Sequence, residues 1–209
     1  MLFILLRICA TVVIILLFIK FAFQLRRLWN RKPFVWYTNG GNAWAVVTGA
    51  GSGMGFEFSR QLALKGYNLL LLSLYEHELE NTKTAIQLEL KQLCKPPVRI
   101  ETLAVDFSRV DIYDQVGRFL GASTNDIFVL VNNVGVTRPI PDCFLANSES
   151  DEFRQWNRRM INVNVGATTN MIELVLPFMV RRKRGLVINV ASIVGRHIVP
   201  LQATYGATK

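Results

Sequence analysis

Three polar side chains near the end of the chain have the types and the spacing of a proton-transfer site. Tyr205 and Lys209 are four residues apart, so on a helix their side chains lie on the same face. An ammonium group beside a phenol favours the phenolate form, and such a pair can give a proton to a carbonyl oxygen or take one from an alcohol. Ser192, thirteen residues before Tyr205, can donate a hydrogen bond to the same oxygen and stabilise charge that develops there.

A glycine-rich turn is the second candidate site. It reads TGAGSGMG, directly after the apolar run 43–48 and directly before a helical pattern. A backbone without side chains turns tightly and can approach a pyrophosphate, while the first turn of the helix supplies N–H groups and the positive end of its dipole. The turn therefore predicts a dinucleotide site, with contacts from Thr48, Gly49, Gly51, Ser52, Gly53, Met54 and Gly55.

Alternating patterns from residue 43 onward predict the elements that must position these groups. Short runs that are apolar throughout are typical of strands buried on both faces of a parallel sheet. Joined by helices through right-handed crossovers, they give a doubly wound, Rossmann-like α/β domain. The predicted strands are 43–48, 68–73, 98–105, 127–131 and 186–191, and the predicted helices are 53–65, 76–94, 110–120 and one within 151–181.

The start of the chain has a different character and predicts a membrane anchor. Residues 2–23 are almost entirely apolar, and a helix of that length rises about 33 Å, which matches the hydrocarbon core of a bilayer. By the positive-inside rule, the basic residues that follow keep the rest of the chain on the cytosolic side. We predict an anchor at 1–25, a basic juxtamembrane linker at 26–42 and the α/β domain at 43–209. The basic residues that precede the first acidic residue are Arg7, Lys20, Arg26, Arg27, Arg31 and Lys32.

Charge and cysteine content argue against several other classes of protein. Much of the net charge of +9 flanks the apolar segment, so we expect a lipid bilayer as partner and no nucleic acid. Three cysteines with wide spacing form neither a disulfide framework nor a zinc motif, so we expect no metal site. A cleaved signal peptide or a buried core helix is the alternative to an anchor, but the apolar run is long and lacks a cleavage site of small residues.

Together these motifs resemble the short-chain dehydrogenase/reductase family over about residues 44–209. The turn has the spacing TGxxxGxG, residues 132–135 read NNVG where the family has NNAG, and a serine precedes a YxxxK pair. The resemblance implies that Tyr205 is the general acid or base, assisted by Ser192, Lys209 and Asn164. Asn162 is the neighbouring alternative to Asn164, whose separation from Ser192 fits the family better. The resemblance also implies cofactor contacts from Ser73, Asp106, Asn132, Gly135, Tyr205 and Lys209.

The resemblance narrows the cofactor and the substrate as well. An acidic residue or an arginine after the second strand would distinguish NAD(H) from NADP(H), but Ser73 and Leu74 stand there, and Ser52 is not basic. The relatives imply NADP(H), with NAD(H) left open. The apolar N-terminus, AWAVVTGAGSGMG and FVLVNNVG resemble the 17β-hydroxysteroid dehydrogenase group that also contains the very-long-chain 3-oxoacyl-CoA reductases. This implies the endoplasmic reticulum membrane, a cytosolic domain, and a ketone–alcohol interconversion on an apolar substrate, either a 17-keto/17β-hydroxy steroid or a long-chain 3-oxoacyl-CoA.

The family's domain continues beyond its YxxxK motif, whereas this sequence stops at Lys209. We therefore expect a Rossmann-like sheet that lacks its C-terminal strands, and weak or absent turnover by residues 1–209 alone. The alternative to an oxidoreductase is a truncated, non-catalytic membrane-bound protein that binds a nucleotide or a partner. The presence of Ser192, Tyr205 and Lys209 favours the enzyme. For a full-length form the family implies a homodimer.

Overall fold

The computed structural model describes residues 2–29, 36–124, 126–140, 143–145 and 149–209. The chain forms two compact units, Met1–Trp36 and Tyr37–Lys209. The boundary between them falls in the predicted linker at 26–42, of which residues 30–35 lie outside the described part of the chain.

Helix α1 (Leu2–Trp29) makes up the first unit. Its 28 residues span about 42 Å at the rise of an α-helix. The large apolar side chains between Val12 and Phe23 are 45% to 71% exposed within the chain. A helix that is apolar on all sides requires apolar surroundings to cover it.

Among the described residues, five parallel strands form the sheet of the second unit. Every pair of neighbours is parallel, so the predicted doubly wound, Rossmann-like arrangement is confirmed. The strands are β1 (Trp44–Thr48), β2 (Asn68–Ser73), β3 (Ile100–Ala104), β4 (Ile127–Asn132) and β5 (Leu186–Asn189), in the order β3-β2-β1-β4-β5. The strands β2 and β3 follow on one side of β1, and β4 and β5 lie on its other side. The strand order therefore reverses between β1 and β4, and open α/β sheets bind ligands at such a switch point.

Helices cover both faces of the sheet and create two cores. They are α2 (Gly53–Leu64), α3 (Glu76–Gln92), α4 (Tyr113–Ser123), α5 (Asp151–Met160), α6 (Ala167–Arg181) and α7 (Ala203–Thr208). Alternate residues of β1 point to opposite cores: Ala45 and Val47 pack with α2 and α3, whereas Trp44 and Val46 pack with α4 and α6. This explains why the central strands read as continuous apolar runs.

The predicted long helix at 151–181 contains a wider turn. A π-helical stretch, Ile161–Gly166, joins α5 to α6. Within the described residues, Asp151–Arg181 is the helical run whose length and composition would allow it to cross a membrane, but it contributes Val163, Met171 and Val175 to the core. It is therefore a core helix of the domain, while Thr11–Phe23 of α1 is the exposed apolar segment.

Several predicted boundaries differ from the structure by one to three residues, and two of them have a local context worth describing. Helix α4 begins at Tyr113 instead of residue 110, because the preceding residues form a turn in which Asp106 accepts a hydrogen bond from the Ser108 N–H at 2.9 Å. Strand β5 ends at Asn189, two residues earlier than predicted.

Candidate active site

The glycine turn lies between β1 and α2 at the carboxyl edge of the sheet. Gly49 has a φ of +64°, a conformation that residues with a Cβ rarely adopt. A Cβ on Gly55 would overlap the carbonyl oxygen of Gly49, so the turn folds back tightly onto the start of α2. The space around Gly53 is open, with nothing within 4 Å of the position of a Cβ.

Asn133 fastens this turn to the end of β4. Its side-chain amide donates to the carbonyl oxygens of Thr48 at 3.0 Å and Gly49 at 3.1 Å. The Thr48 hydroxyl in turn accepts from the backbone N–H groups of Asn133 and Val134, both at 3.1 Å. From the sequence, Asn132 and Gly135 of the NNVG motif were predicted as cofactor contacts, and this role of Asn133 was not. Its place directly after a predicted strand was the available signal.

Asn132 makes a different contact from that of Asn133. It is buried, and its side-chain amide donates to the Asn189 side-chain oxygen at 2.9 Å, so it links the ends of β4 and β5. Asp106 follows β3 at the same edge of the sheet and caps its own turn through the Ser108 N–H. Ser73 is buried at the end of β2. The predicted cofactor contacts therefore lie at the ends of neighbouring strands.

Asn164 lies in the π-helical stretch and is buried. Its Oδ1 accepts from the Val136 N–H at 2.8 Å, and its Nδ2 donates to the Val136 carbonyl oxygen at 2.9 Å. The same Nδ2 lies 2.9 Å from the Thr208 hydroxyl in α7. Asn162, the alternative considered from sequence, donates to the carbonyl oxygen of Ser108 at 2.8 Å and so belongs to a different contact.

Lys209 and Asn164 meet at Gly135. A Cβ on Gly135 would lie 2.8 Å from Lys209 Nζ and 3.4 Å from Asn164 Oδ1, so a glycine leaves room for both side chains. The Lys209 ammonium donates to the Val190 carbonyl oxygen at 3.2 Å. Burial lowers the pKa of Lys209 below its ordinary value, because the charged form loses hydration there.

Ser192 and Tyr205 lie in two segments that pack together. Ser192 begins a short 3-10 turn and its hydroxyl accepts from the Val194 N–H at 3.3 Å. Helix α7 rests on this turn, since a Cβ on Gly206 would lie 3.1 Å from the Val194 carbonyl oxygen. Within the described part of the chain, the two hydroxyls of Ser192 and Tyr205 are not hydrogen-bonded to each other.

A cavity of about 210 Å³ opens beside Tyr205. Most of its wall is apolar, and Arg138 supplies a cation that lies over the Phe153 ring, 4.3 Å from its centroid. Arg138 and Phe153 were not predicted from the sequence, because they come from segments that lie apart in the chain. The cavity is lined by Thr137, Arg138, Cys143, Phe144, Phe153, Asn157, Met160, Leu201, Gln202, Ala203, Thr204 and Tyr205.

The glycine turn fits the diphosphate of a dinucleotide. Ser52 precedes α2 without a side-chain hydrogen bond to the helix, so it does not cap the first N–H groups of α2, and the space at the position of a Gly53 Cβ is open. The residues that would hold the diphosphate are therefore those of the turn, and Asn133 fixes the shape of that turn.

Comparison with known proteins identifies the family. Residues 43–209 match the family described as short chain dehydrogenase, and the chain belongs to it. The chain is 38% identical over 183 residues to very-long-chain 3-oxoacyl-CoA reductase-B of Danio rerio, covering 84% of this chain and 55% of that protein. It is 35% identical over 187 residues to the Homo sapiens very-long-chain 3-oxoacyl-CoA reductase, covering 90% and 56%. The chain thus spans about half the length of these curated relatives.

Solved structures agree with the fold and the cofactor class. A short-chain dehydrogenase from Sphingobium yanoikuyae in complex with NADPH superposes with a TM-score of 0.67 at 26% identity, covering 80% of this chain and 60% of that one. Nicotinamide nucleotides are therefore the cofactors that the family supports for this site.

Proposed function

We propose that this protein is a nicotinamide-dependent oxidoreductase that interconverts a ketone and a secondary alcohol on a long-chain 3-oxoacyl-CoA. The observation that carries the proposal is the meeting of Asn164 and Lys209 at Gly135, next to the turn that Asn133 fastens to β4. A proton-transfer group and a dinucleotide turn thereby share the carboxyl edge of one sheet.

Each of four side chains has a role in the proton half of the reaction. Tyr205 faces the cavity and gives the proton to the carbonyl oxygen in reduction, or removes it in oxidation. The Ser192 hydroxyl donates to the same oxygen as charge develops on it. Lys209, with its lowered pKa, supplies charge and protons near Tyr205. Asn164 positions this corner by linking α7 to the Val136 backbone. The bound nicotinamide supplies or accepts the hydride.

The substrate class follows from the relatives and from the cavity. Both named relatives are reductases of very-long-chain 3-oxoacyl-CoA, and the wall beside Tyr205 is mostly apolar. The exposed apolar surface of α1 fits a lipid bilayer, and substrates with long acyl chains partition into the same phase. We place the protein in the endoplasmic reticulum membrane with the α/β domain in the cytosol.

An apolar stripe on the α5–α6 run supports a homodimer. Its members are spaced along one side of the helical run and are 40% to 63% exposed within the chain: Ile161, Val165, Leu176 and Val180. A second copy packed on this stripe would cover it.

The test measures cofactor binding and turnover separately. Purified protein in a mild detergent is titrated with NADH and NADPH by fluorescence, and ketone reduction is followed with a long-chain 3-oxoacyl-CoA and with a 17-ketosteroid. We expect dinucleotide binding by residues 1–209, with reduction of the acyl-CoA weak at most. Any acyl-CoA reduction should fall by about 100-fold or more in kcat for Tyr205→Phe, with dinucleotide binding retained. Tyr113→Phe in α4, which also loses one hydroxyl, is the matched control and keeps its kcat.

Three results would change the assignment. Turnover of the steroid without turnover of the acyl-CoA would change the proposed substrate from a long-chain 3-oxoacyl-CoA to a 17-ketosteroid. Binding of a dinucleotide with no turnover of any ketone would favour the non-catalytic alternative. Binding of neither dinucleotide would contradict the proposal altogether.

A further inference from the structure

Glu78 lies against the glycine turn although it is distant from it in sequence. It stands in the first turn of α3, and a Cβ placed on Gly51 would lie 2.6 Å from its Oε2. The same Cβ would lie 3.1 Å from the Ser73 hydroxyl at the end of β2. One carboxylate thus lies between the middle of the turn and the strand end that follows it.

Thr82, one helical turn further along α3, holds this arrangement in place. Its hydroxyl lies 3.2 Å from the carbonyl oxygen of Ala50 and 3.3 Å from that of Gly51. It is buried, and it keeps the start of α3 against the turn. The backbone of Glu78 is therefore held beside the turn by the packing of α3.

Within the part of the chain that the structure describes, Glu78 has no ion-pair partner. Basic side chains on the adjoining helices are engaged elsewhere. Arg60 of α2 pairs with Glu57 and Glu89, and Lys83 of α3 pairs with Glu80 at 3.6 Å.

The two other positions that border this region carry no positive charge. Ser52 occupies the turn and Leu74 follows β2, and neither side chain can pair with a phosphate group. In dinucleotide folds, an acidic side chain beyond the glycine turn accepts hydrogen bonds from the ribose hydroxyls of NAD, whereas a phosphate on that ribose requires a cation.

We infer that Glu78 selects the cofactor: its carboxylate accepts from the adenosine ribose of NAD(H) and repels the 2′-phosphate of NADP(H). This deepens the proposed function and rests on it. The chain then prefers NAD(H), although the relative of known structure named above binds NADPH. Repulsion of about 1.4 kcal/mol between the carboxylate and a 2′-phosphate would correspond to a tenfold preference in dissociation constant.

The position of Glu78 in the first turn of α3 offers a competing explanation for an acidic residue at this place. An acidic residue in the first turn of a helix complements the helix dipole without any ligand. Glu76 stands in the same turn and does the same, so it provides the matched control. A dipole effect would change the thermal stability of both variants alike and would leave cofactor preference unchanged.

The experiment measures dissociation constants of the full chain, in detergent, for four ligands. They are NAD+, NADP+, adenosine 5′-monophosphate and adenosine 2′,5′-bisphosphate, measured by calorimetry. The last two report on the ribose alone. We expect the native protein to bind NAD+ about tenfold or more tightly than NADP+. Glu78→Gln should bring the ratio close to one, Glu78→Lys should reverse it, and Glu76→Gln should leave it unchanged.

The outcomes separate this inference from the proposed function. Equal or tighter binding of NADP+ by the native protein, or a ratio that stays the same in both Glu78 variants, overturns the inference and leaves the dinucleotide site standing. If folded native protein, checked by circular dichroism, binds none of the four ligands, the proposed function fails together with the inference.

Discussion

Single side chains hold the candidate site together, and Asn164 is the clearest case. Its amide satisfies both backbone groups of Val136 and contacts the Thr208 hydroxyl, so one buried residue joins the α5–α6 run, the segment after β4 and α7. A π-helical turn carries it, and such turns are frequent at functional sites because they change the direction of one side chain.

Replacement of Asn164 by alanine tests this role. The partly buried N–H and carbonyl of Val136 would lose their partner, and the free energy of unfolding should fall by about 1–3 kcal/mol. Asn162→Ala, which removes a single hydrogen bond to Ser108, should cost about 1 kcal/mol. Urea unfolding of the three proteins measures both differences. Equal losses for the two variants would contradict the bridging role of Asn164.

The buried phenol of Tyr67 should make the stability of the protein depend on pH. Its ring is fully buried and stacks on Phe128 with centroids 6.1 Å apart, and burial raises the pKa of Tyr67 to about 12. The unfolded chain ionises this phenol from about pH 10, whereas the folded chain keeps its proton up to about pH 12. The folded state therefore binds more protons in this window, and the free energy of unfolding falls as the pH rises through it.

The Tyr67→Phe variant removes that titration. Its stability at pH 9, below the range in which the phenol ionises in either state, sets the baseline for the comparison. Between about pH 10 and 12 its stability should fall less steeply than that of the native protein. The measurement is the difference between urea unfolding free energies of the two proteins at several pH values. Parallel curves would show that the Tyr67 phenol does not titrate differently on folding.

At the scale of elements, the strands and the glycine turn could be predicted from the sequence, and the contacts between them could not. Continuous apolar runs and the TGxxxGxG spacing are local patterns, and they located β1, β2, β4 and the turn closely. Asn133 and Glu78 act through contacts with the turn that the chain creates only when it folds. The π-helical turn leaves no periodic signal, because one wider turn hardly changes the apolar pattern of a long helix.

Two glycine substitutions, one in the tightly packed glycine turn and one in α4, should have opposite effects on stability. Gly55→Ala places a Cβ on the Gly49 carbonyl oxygen, so the turn must shift, and stability should fall by about 1–3 kcal/mol. Dinucleotide binding should weaken with it. Gly121→Ala in α4 meets nothing within 4 Å and should stabilise the helix by about 0.5–1 kcal/mol. Thermal unfolding and nucleotide titration of both variants check this, and a harmless Gly55→Ala would contradict the close approach.

At the scale of the whole molecule, the two units differ in what they bury. The α/β unit encloses apolar side chains on both faces of its sheet, whereas α1 leaves its apolar side chains between Val12 and Phe23 exposed. Water is an unfavourable environment for a surface of that size, and a bilayer covers it without a partner protein. The prediction of an anchor therefore rests on the chemistry of α1 alone and can be tested independently of catalysis.

Two acidic substitutions in the middle of α1 test the anchor. Ile15 and Phe18 are exposed on the helix, and replacing both with aspartate should disfavour insertion by about 5–7 kcal/mol. The native protein should stay with the membrane pellet after alkaline carbonate extraction, and the double variant should appear in the supernatant. A variant with leucine at both positions changes shape but not polarity and should remain in the pellet. Release of the native protein by carbonate would show that α1 does not span the bilayer. Dinucleotide binding by the released double variant would show that the α/β unit does not depend on the membrane.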